Sequence, residues 1–252
     1  MLTTMQANIQ KFGACCSSME LWDANKATTV FTAHPCNVTG LYKCSGAFCG
    51  KPDRYSSVCD KDGCDYNPYR LGSLSYYQPN ATVDTNRKFT VVTQFLTTSG
   101  NDTGDLREIR RLYVQNGKVI ENAQIQVQGI DRGNSITDEF CGQEKKVFGF
   151  VNAFRSQGGM KAMGDALQRG MVLTMAVWDD AGGSMKCLAD AGHQPGRSVT
   201  IPPGSESPPP DNCSPCKAGE GKPEDLLAKF PWTSVKYSNI KTGEIGSTFN
   251  VK

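Results

Sequence analysis

No run of like charge occurs anywhere in this 252-residue chain, whose 27 lysines and arginines are interspersed with 25 acidic residues. A nucleic-acid binder needs a basic stripe or patch, so that class is excluded and the expected partner is uncharged. Nothing approaches the roughly 18 consecutive apolar residues of a membrane-spanning helix, so no membrane partner is expected. The opening MLTTMQANIQKFG has no apolar stretch of the kind that a signal peptide carries. No internal repeat stands out, which argues against a solenoid or propeller.

What the chain does contain is a hydrophobic fraction of 38% in 27.4 kDa, enough to fill the core of one large domain or two small ones. Eleven cysteines and four N-x-S/T sequons, at Asn37, Asn80, Asn101 and Asn212, indicate an oxidising compartment and hence secretion. Secretion without a leader, together with an odd cysteine count, leads to the expectation that a further segment lies upstream.

Strand signals dominate. Lys88 to Thr97 (KFTVVTQFLT) alternates with β-branched and aromatic residues, and Arg111 to Ile120 contains Asn116-Gly117, the pair best suited to a type I′ hairpin turn. Gly170 to Trp178 (GMVLTMAVW) reads as a strand apolar on both faces, expected deep in the core, and Ser234 to Ile240 as another. One helix is expected, Gly159 to Arg169, with Met160, Met163 and Leu167 at three- and four-residue spacing and Gly170 as its stop. Gln194 to Pro223 is rich in proline, glycine and serine and reads as a surface loop. Between Cys36 and Tyr69 five cysteines staple a loop-like run. The equal spacings Cys44 to Cys49 and Cys59 to Cys64 leave a zinc ribbon open beside disulfides, although secretion favours disulfides. Asp60-Lys61-Asp62-Gly63 imitates the start of a calcium loop without the glycine spacing or terminal glutamate such a loop needs.

The segment Cys15 to Asn25, CCSSMELWDAN, sets two acids, Glu20 and Asp23, beside Trp22. Paired carboxylates near a ring suit sugar chemistry: one protonates the leaving oxygen, the other stabilises or attacks the anomeric carbon, and the ring stacks on a pyranose. Taken alone, the same pattern also describes two solvated charges on a surface strand.

This segment resembles the signature C-C-S-E-M-D-I-W-E-A-N of the family-7 glycoside hydrolases, the cellobiohydrolases and endoglucanases. The likeness continues through HPC at His34 to Cys36, CDKDGCDYNPYR from Cys59 to Arg70, TVVTQF from Thr90 to Phe95, YVQNG from Tyr113 to Gly117, and YSNIKTGEIGST ending at Thr248. It runs over nearly all of this chain but only the later part of a family domain. The resemblance implies a mainly β fold, an antiparallel β-sandwich of concanavalin-like jelly-roll type with one short flanking helix, incomplete here. A cleft for β-1,4-glucan would run along its concave face, and no cofactor or metal is implied.

In the family signature the first glutamate is the nucleophile, the aspartate assists it, and the last glutamate is the general acid/base. The anchors Met19, Trp22, Ala24 and Asn25 carry those roles onto Ser18, Glu20 and Asp23, all three of them changed. Ser18 and Glu20 share a strand face, whereas Asp23 has the opposite parity and needs a bulge or strand end to join them. A serine without an adjacent base is a poor nucleophile, so the retaining route should fail. Glu20 could reach forward as a substitute nucleophile, or Ser18 could admit a water for an inverting reaction with Glu20 as base and Asp23 as acid. Trp22, His34, Arg54, Asp62, Asp65 and Trp178 match positions along the family's substrate path.

The resemblance also implies the disulfides Cys36 with Cys59, Cys44 with Cys49, and Cys64 with Cys141. On the product side, a sugar-binding tryptophan and arginine of the family fall at Cys187 and Cys213, which are therefore expected to bond to each other. Cys15, Cys16 and Cys216 match family cysteines whose partners lie in the earlier part of the domain. The competing functional readings are a divergent glucan hydrolase, a noncatalytic glucan-binding or wall-associated protein, and a gene fragment.

Overall fold

Alternating β-branched and aromatic residues build the longest strands of the chain. The computed structural model describes residues 12–179, 214–216 and 221–250. In chain order the strands are β1 (Gly13–Cys15), β2 (Ser18–Ala24), β3 (Thr29–His34), β4 (Tyr42–Cys44), β5 (Cys64–Tyr66), β6 (Tyr77–Gln78), β7 (Val83–Asp84), β8 (Thr90–Thr97), β9 (Leu106–Gln115), β10 (Lys118–Glu121) and β11 (Ser135–Ile136). The helices are α1 (Asp138–Val147), α2 (Ala153–Ser156), α3 (Gly159–Arg169) and α4 (Pro223–Lys229). One antiparallel sheet runs β2-β3-β5; in a second, β9 pairs with β8, β10 and β11. The fold is mainly β with antiparallel sheets, as expected.

The two sheets meet across an apolar core. Phe31 and Ala33 of β3 and Cys64 and Tyr66 of β5 face Ile109 of β9 and Ile136 of β11, while Met160 and Met163 of α3 close the side. Alternation along β3 and β5 then sends Val30, Thr32, His34 and Asp65 to the opposite face of the β2-β3-β5 sheet. A second cluster gathers Tyr76, Tyr77, Val83, Tyr113 and Ala123, with Trp22 and Phe89 packed against it. The expected hairpin forms: Gln115 pairs with Lys118 around Asn116 (φ 54°) and Gly117 (φ 76°), the two left-handed residues a type I′ turn requires.

Three local expectations are corrected. Gly170 to Trp178 forms no strand and is open to solvent, with Val172 89% exposed; no described strand pairs with it, so the run has no ladder to join. Ser234 to Ile240 forms none either, and Val235 and Ile240 are exposed. Helices number four rather than one among the described residues. The signal for α1 is a cap: Thr137 accepts from the Phe140 N–H, Asp138 and Glu139 stand in the first turn, and Lys145 and Lys146 stand in the last. Of the Gln194 to Pro223 loop, residues 194–213 and 217–220 lie outside the described residues, as do Cys187 and Cys213; Pro223 opens α4.

The three remaining disulfides form as expected: Cys36–Cys59, Cys44–Cys49 and Cys64–Cys141. They occupy all four sulfurs of the zinc-ribbon alternative, which is thereby set aside. The calcium-like loop is spent internally, since Asp60 accepts from the Asp62 N–H and Asp62 pairs with Arg54 at 2.5 Å.

Candidate active site

The geometry of the site starts from a hairpin. Asn25 turns β2 into β3, its Oδ1 accepting from the N–H groups of Ala27 at 2.7 Å and Thr28 at 2.9 Å. The register that follows is Ser18 opposite His34 and Glu20 opposite Thr32, then a shift, then Asp23 opposite Val30. Residues 30, 32 and 34 all point to one face. Their partners Ser18, Glu20 and Asp23 therefore share that face, because the bulge between Glu20 and Asp23 inserts the one extra residue that reverses the parity of Asp23. Arg111, buried on β9, donates from Nη2 to the carbonyl of Leu21 inside the bulge and ties it to the second sheet.

Opposite charge and burial then sort the two acids. Burial alone would push the Glu20 carboxyl up, but hydrogen bonding and the charge of His34, with help from Thr32, outweigh it and hold Glu20 below the ordinary carboxylate range. The Nε2 of His34 lies 3.5 Å from Glu20 Oε1. Its Nδ1 meets the carbonyl of Asp60 at 3.0 Å, which acts as acceptor and so leaves Nε2 directed at Glu20. Burial works against the imidazolium, yet Glu20 and the Asp60 carbonyl raise its pKa overall. Asp23 has the reverse balance: burial, then the negative charge of Glu20, push it up to about 6 despite a hydrogen bond from the Trp178 side chain. The face thus holds one firmly ionised carboxylate and one that changes protonation near pH 6.

The other expected residues are distributed around this face. Asp65 lies in the same row as Thr32 and Glu20 and meets Arg70 at 2.7 Å; Arg70 meets the buried Glu144 of α1, also at 2.7 Å, and Lys145 follows at 3.2 Å. Burial pushes Asp65 up, but Arg70 and Lys145 outweigh it and keep it ionised. Arg54 and Asp62 pair with each other nearby. Trp178 reaches Asp23, whereas Trp22 is packed into the aromatic cluster, edge-on to Phe89 at 6.0 Å and to Tyr237 at 6.3 Å. Two participants escape a reading of motifs alone. Thr32 becomes Glu20's neighbour only through the hairpin register. Gly63, at φ +71°, packs so close that an added Cβ would stand 2.4 Å from Thr32 Cγ2 and 2.5 Å from His34 Cε1.

Such a face, two acids of different acidity beside a histidine and an indole, can protonate a leaving oxygen and stabilise positive charge at an anomeric carbon. Ser18, opposite His34, adds a hydroxyl to the same face.

Known proteins bear on this arrangement. The chain is 46% identical over 244 residues to a probable endo-beta-1,4-glucanase celB of Aspergillus clavatus, covering 97% of this chain and 50% of that protein. Among solved structures it is similar to a double mutant of the Humicola insolens endocellulase EGI, at 37% identity and TM-score 0.80, covering 97% of this chain and 54% of that one. It is also similar to the Humicola insolens Cel7B glycosynthase mutants, in one of which serine replaces a glutamate, at 37% identity and TM-score 0.71, covering 89% and 49%. The chain spans about half the length of these relatives. The profile of glycosyl hydrolase family 7 matches residues 2–249, and with that match the chain belongs to glycosyl hydrolase family 7.

Proposed function

We propose that this chain is a β-1,4-glucan-binding domain of cellulase descent in which ordinary retaining hydrolysis is weak or absent. The single observation that supports the reading is the shared face of Ser18, Glu20 and Asp23; on the family signature its nucleophile position would hold a serine hydroxyl in place of the carboxylate that forms a glycosyl-enzyme. Asp23 takes the acid/base position, one methylene short, and a displacement of about 1 Å at a reacting group can cost about a hundredfold. Glu20, held ionised beside His34, stabilises positive charge on the sugar. His34, Trp178, Asp65 and the Arg54–Asp62 pair would grip the sugar chain. Trp22 contributes through packing.

Secretion is part of the same reading, supported by three disulfides and by exposed sequons at Asn37, Asn80 and Asn101. So is an upstream segment that carries disulfide partners for the thiols of Cys15 and Cys16.

The test compares the unmodified protein with a Ser18→Glu, Glu20→Asp, Asp23→Glu revertant, each with and without an upstream family segment, for binding of cellulose and release of soluble sugar. Binding by both and sugar release by the revertant alone is the expected result. Turnover by the unmodified chain would overturn it, and the product's anomeric configuration would then tell a substitute nucleophile from an inverting base at Glu20.

A further inference from the structure

We propose that Cys15 and the Cys44–Cys49 disulfide form an internal thiol–disulfide exchange site, which moves the reactive thiol at this end of the chain from Cys15 to Cys49. The inference is independent of the glucan reading and concerns the Cys15 thiol before any upstream cysteine bonds to it.

The pairing of β1 with β4 builds the site. Gly13 stands opposite Cys44 and Cys15 opposite Tyr42, so Gly13 and Cys15, two residues apart, turn to the same face of the pair as Cys44. Gly13 lets the disulfide lie against β1, since an added Cβ there would stand 3.0 Å from Cys49 Sγ and 3.2 Å from Cys44 Sγ. With that space open, Cys15 Sγ approaches Cys44 Sγ to 3.2 Å, and the three sulfurs lie within 4.8 Å of one another. Three clustered sulfurs would also suit a soft metal ion, but Cys44 and Cys49 are bonded to each other and offer no thiolate. A free thiol in contact with a disulfide is instead the arrangement from which exchange starts.

The Cys15 thiolate attacks Cys44 Sγ. The Cys15–Cys44 bond forms, the Cys44–Cys49 bond breaks with its electron pair leaving on Cys49, and Cys49 takes up from solvent the proton that Cys15 gave up. One thiol and one disulfide thus give one thiol and one disulfide, with no oxidant or reductant consumed. Lys61 serves both ends of the step. Burial pushes the Cys15 thiol up, and the neighbouring Cys16 adds to the rise, while the Lys61 charge and then a hydrogen bond with Ser57 oppose it. The same ammonium donates to the backbone carbonyl of Cys49 at 2.5 Å, so a positive charge stands beside the residue that receives the leaving electron pair. Lys43, opposite Ala14, turns to the other face of the pair. Because the thiol is raised overall, exchange should quicken as pH climbs through 9. It also changes what holds the turn Gly46–Cys49, which carries the exposed Phe48: the turn keeps hydrogen bonds such as that from the Val58 N–H to the Phe48 carbonyl but loses its covalent closure, while β1 gains a covalent tie to β4.

The experiment treats the full chain at pH 9 with iodoacetamide at a series of concentrations, quenches in acid, and maps alkylated and disulfide-bonded peptides by mass. A population labelled at Cys49 and carrying a Cys15–Cys44 bond is expected. Its share should grow as the reagent is diluted, because exchange then outruns alkylation of Cys15, and should not change over a tenfold range of protein concentration. Cys16→Ser should leave this population unchanged, Cys15→Ser should abolish it, and Lys61→Gln should slow its appearance roughly two- to fivefold, the worth of one exposed charge. A Cys44–Cys49 bond that stays intact at every reagent concentration, a yield that scales with protein concentration, or label at Cys49 in Cys15→Ser would each overturn the proposal.

Discussion

In the proposed site the carboxyl of Asp23 carries both the chemistry and a cost. Its proton is lost at about pH 6 in the fold and near pH 3.8 in the unfolded chain, so folding is favoured while the group is neutral and loses that advantage as pH rises through 6. The gap between those two values corresponds to roughly 2–3 kcal/mol at pH 8. Asp23→Asn, which keeps an oxygen for the Trp178 indole, should therefore stabilise the protein by up to that amount at pH 8 and change little at pH 4. Urea unfolding at the two pH values checks this; equal effects at both would show that Asp23 is not strained by its charge. The imidazole of His34 runs the same way. Because the imidazole is raised above 6.5, its contribution is complete below that value and fades as pH climbs through the folded value. Much of this is legible in the sequence: period-two alternation puts Ser18 and Glu20 together and demands a bulge for Asp23. Thr32 is not, since only a three-dimensional register makes it Glu20's neighbour, and the place of Trp22 beside two acids suggests sugar stacking although its ring completes an apolar cluster.

At the scale of elements, local chemistry decides what can be foreseen. The Asn116-Gly117 hairpin announces itself because few residues adopt two successive left-handed conformations, and α3 because its methionines recur at helical spacing. The α1 helix has a weaker apolar stripe, and its ends are set by Thr137 and by terminal charges that a search for periodicity passes over. The turn from Asp60 to Gly63 shows a loop acting on a strand. Its Asp60 carbonyl fixes the ring of His34, and its glycine permits contact with β3 that no side chain would allow. Gly63→Ala meets both the left-handed backbone and three atoms closer than 3 Å, and should cost about 2–4 kcal/mol. The same substitution should move His34 away from Glu20 and lower its pKa toward the ordinary value. With only two histidines in the chain, an NMR titration against a His193→Gln control isolates that signal. An unmoved His34 titration would show that the loop does not position the ring.

Across the whole molecule the distribution of apolar surface matters most. The runs Gly170–Trp178 and Ser234–Ile240 have the composition of strands, and strand composition presupposes neighbours. No described strand pairs with either, so side chains suited to burial stand in water: Val172 is 89% exposed and Trp232, close to the second run, 92%. Exposed apolar segments with unsatisfied backbone are templates for pairing with another chain. The thiols of Cys15 and Cys16 sit on and just after β1, the first strand of the described fold, so any covalent partner would be held at that end. The isolated 252-residue chain is accordingly expected to associate as its concentration rises, and in oxidising buffer to form disulfide-linked species through Cys16, the more exposed of the two thiols. Sedimentation velocity across a hundredfold range of concentration reads the first effect, and nonreducing electrophoresis of Cys16→Ser against the parent reads the second. A Val172→Lys, Trp232→Ser variant should move the sedimentation profile toward monomer without touching the Ser18 face. A parent chain that stays monomeric throughout would mean that these segments find cover within the chain itself, and the apolar composition of both runs would then be explained without a partner.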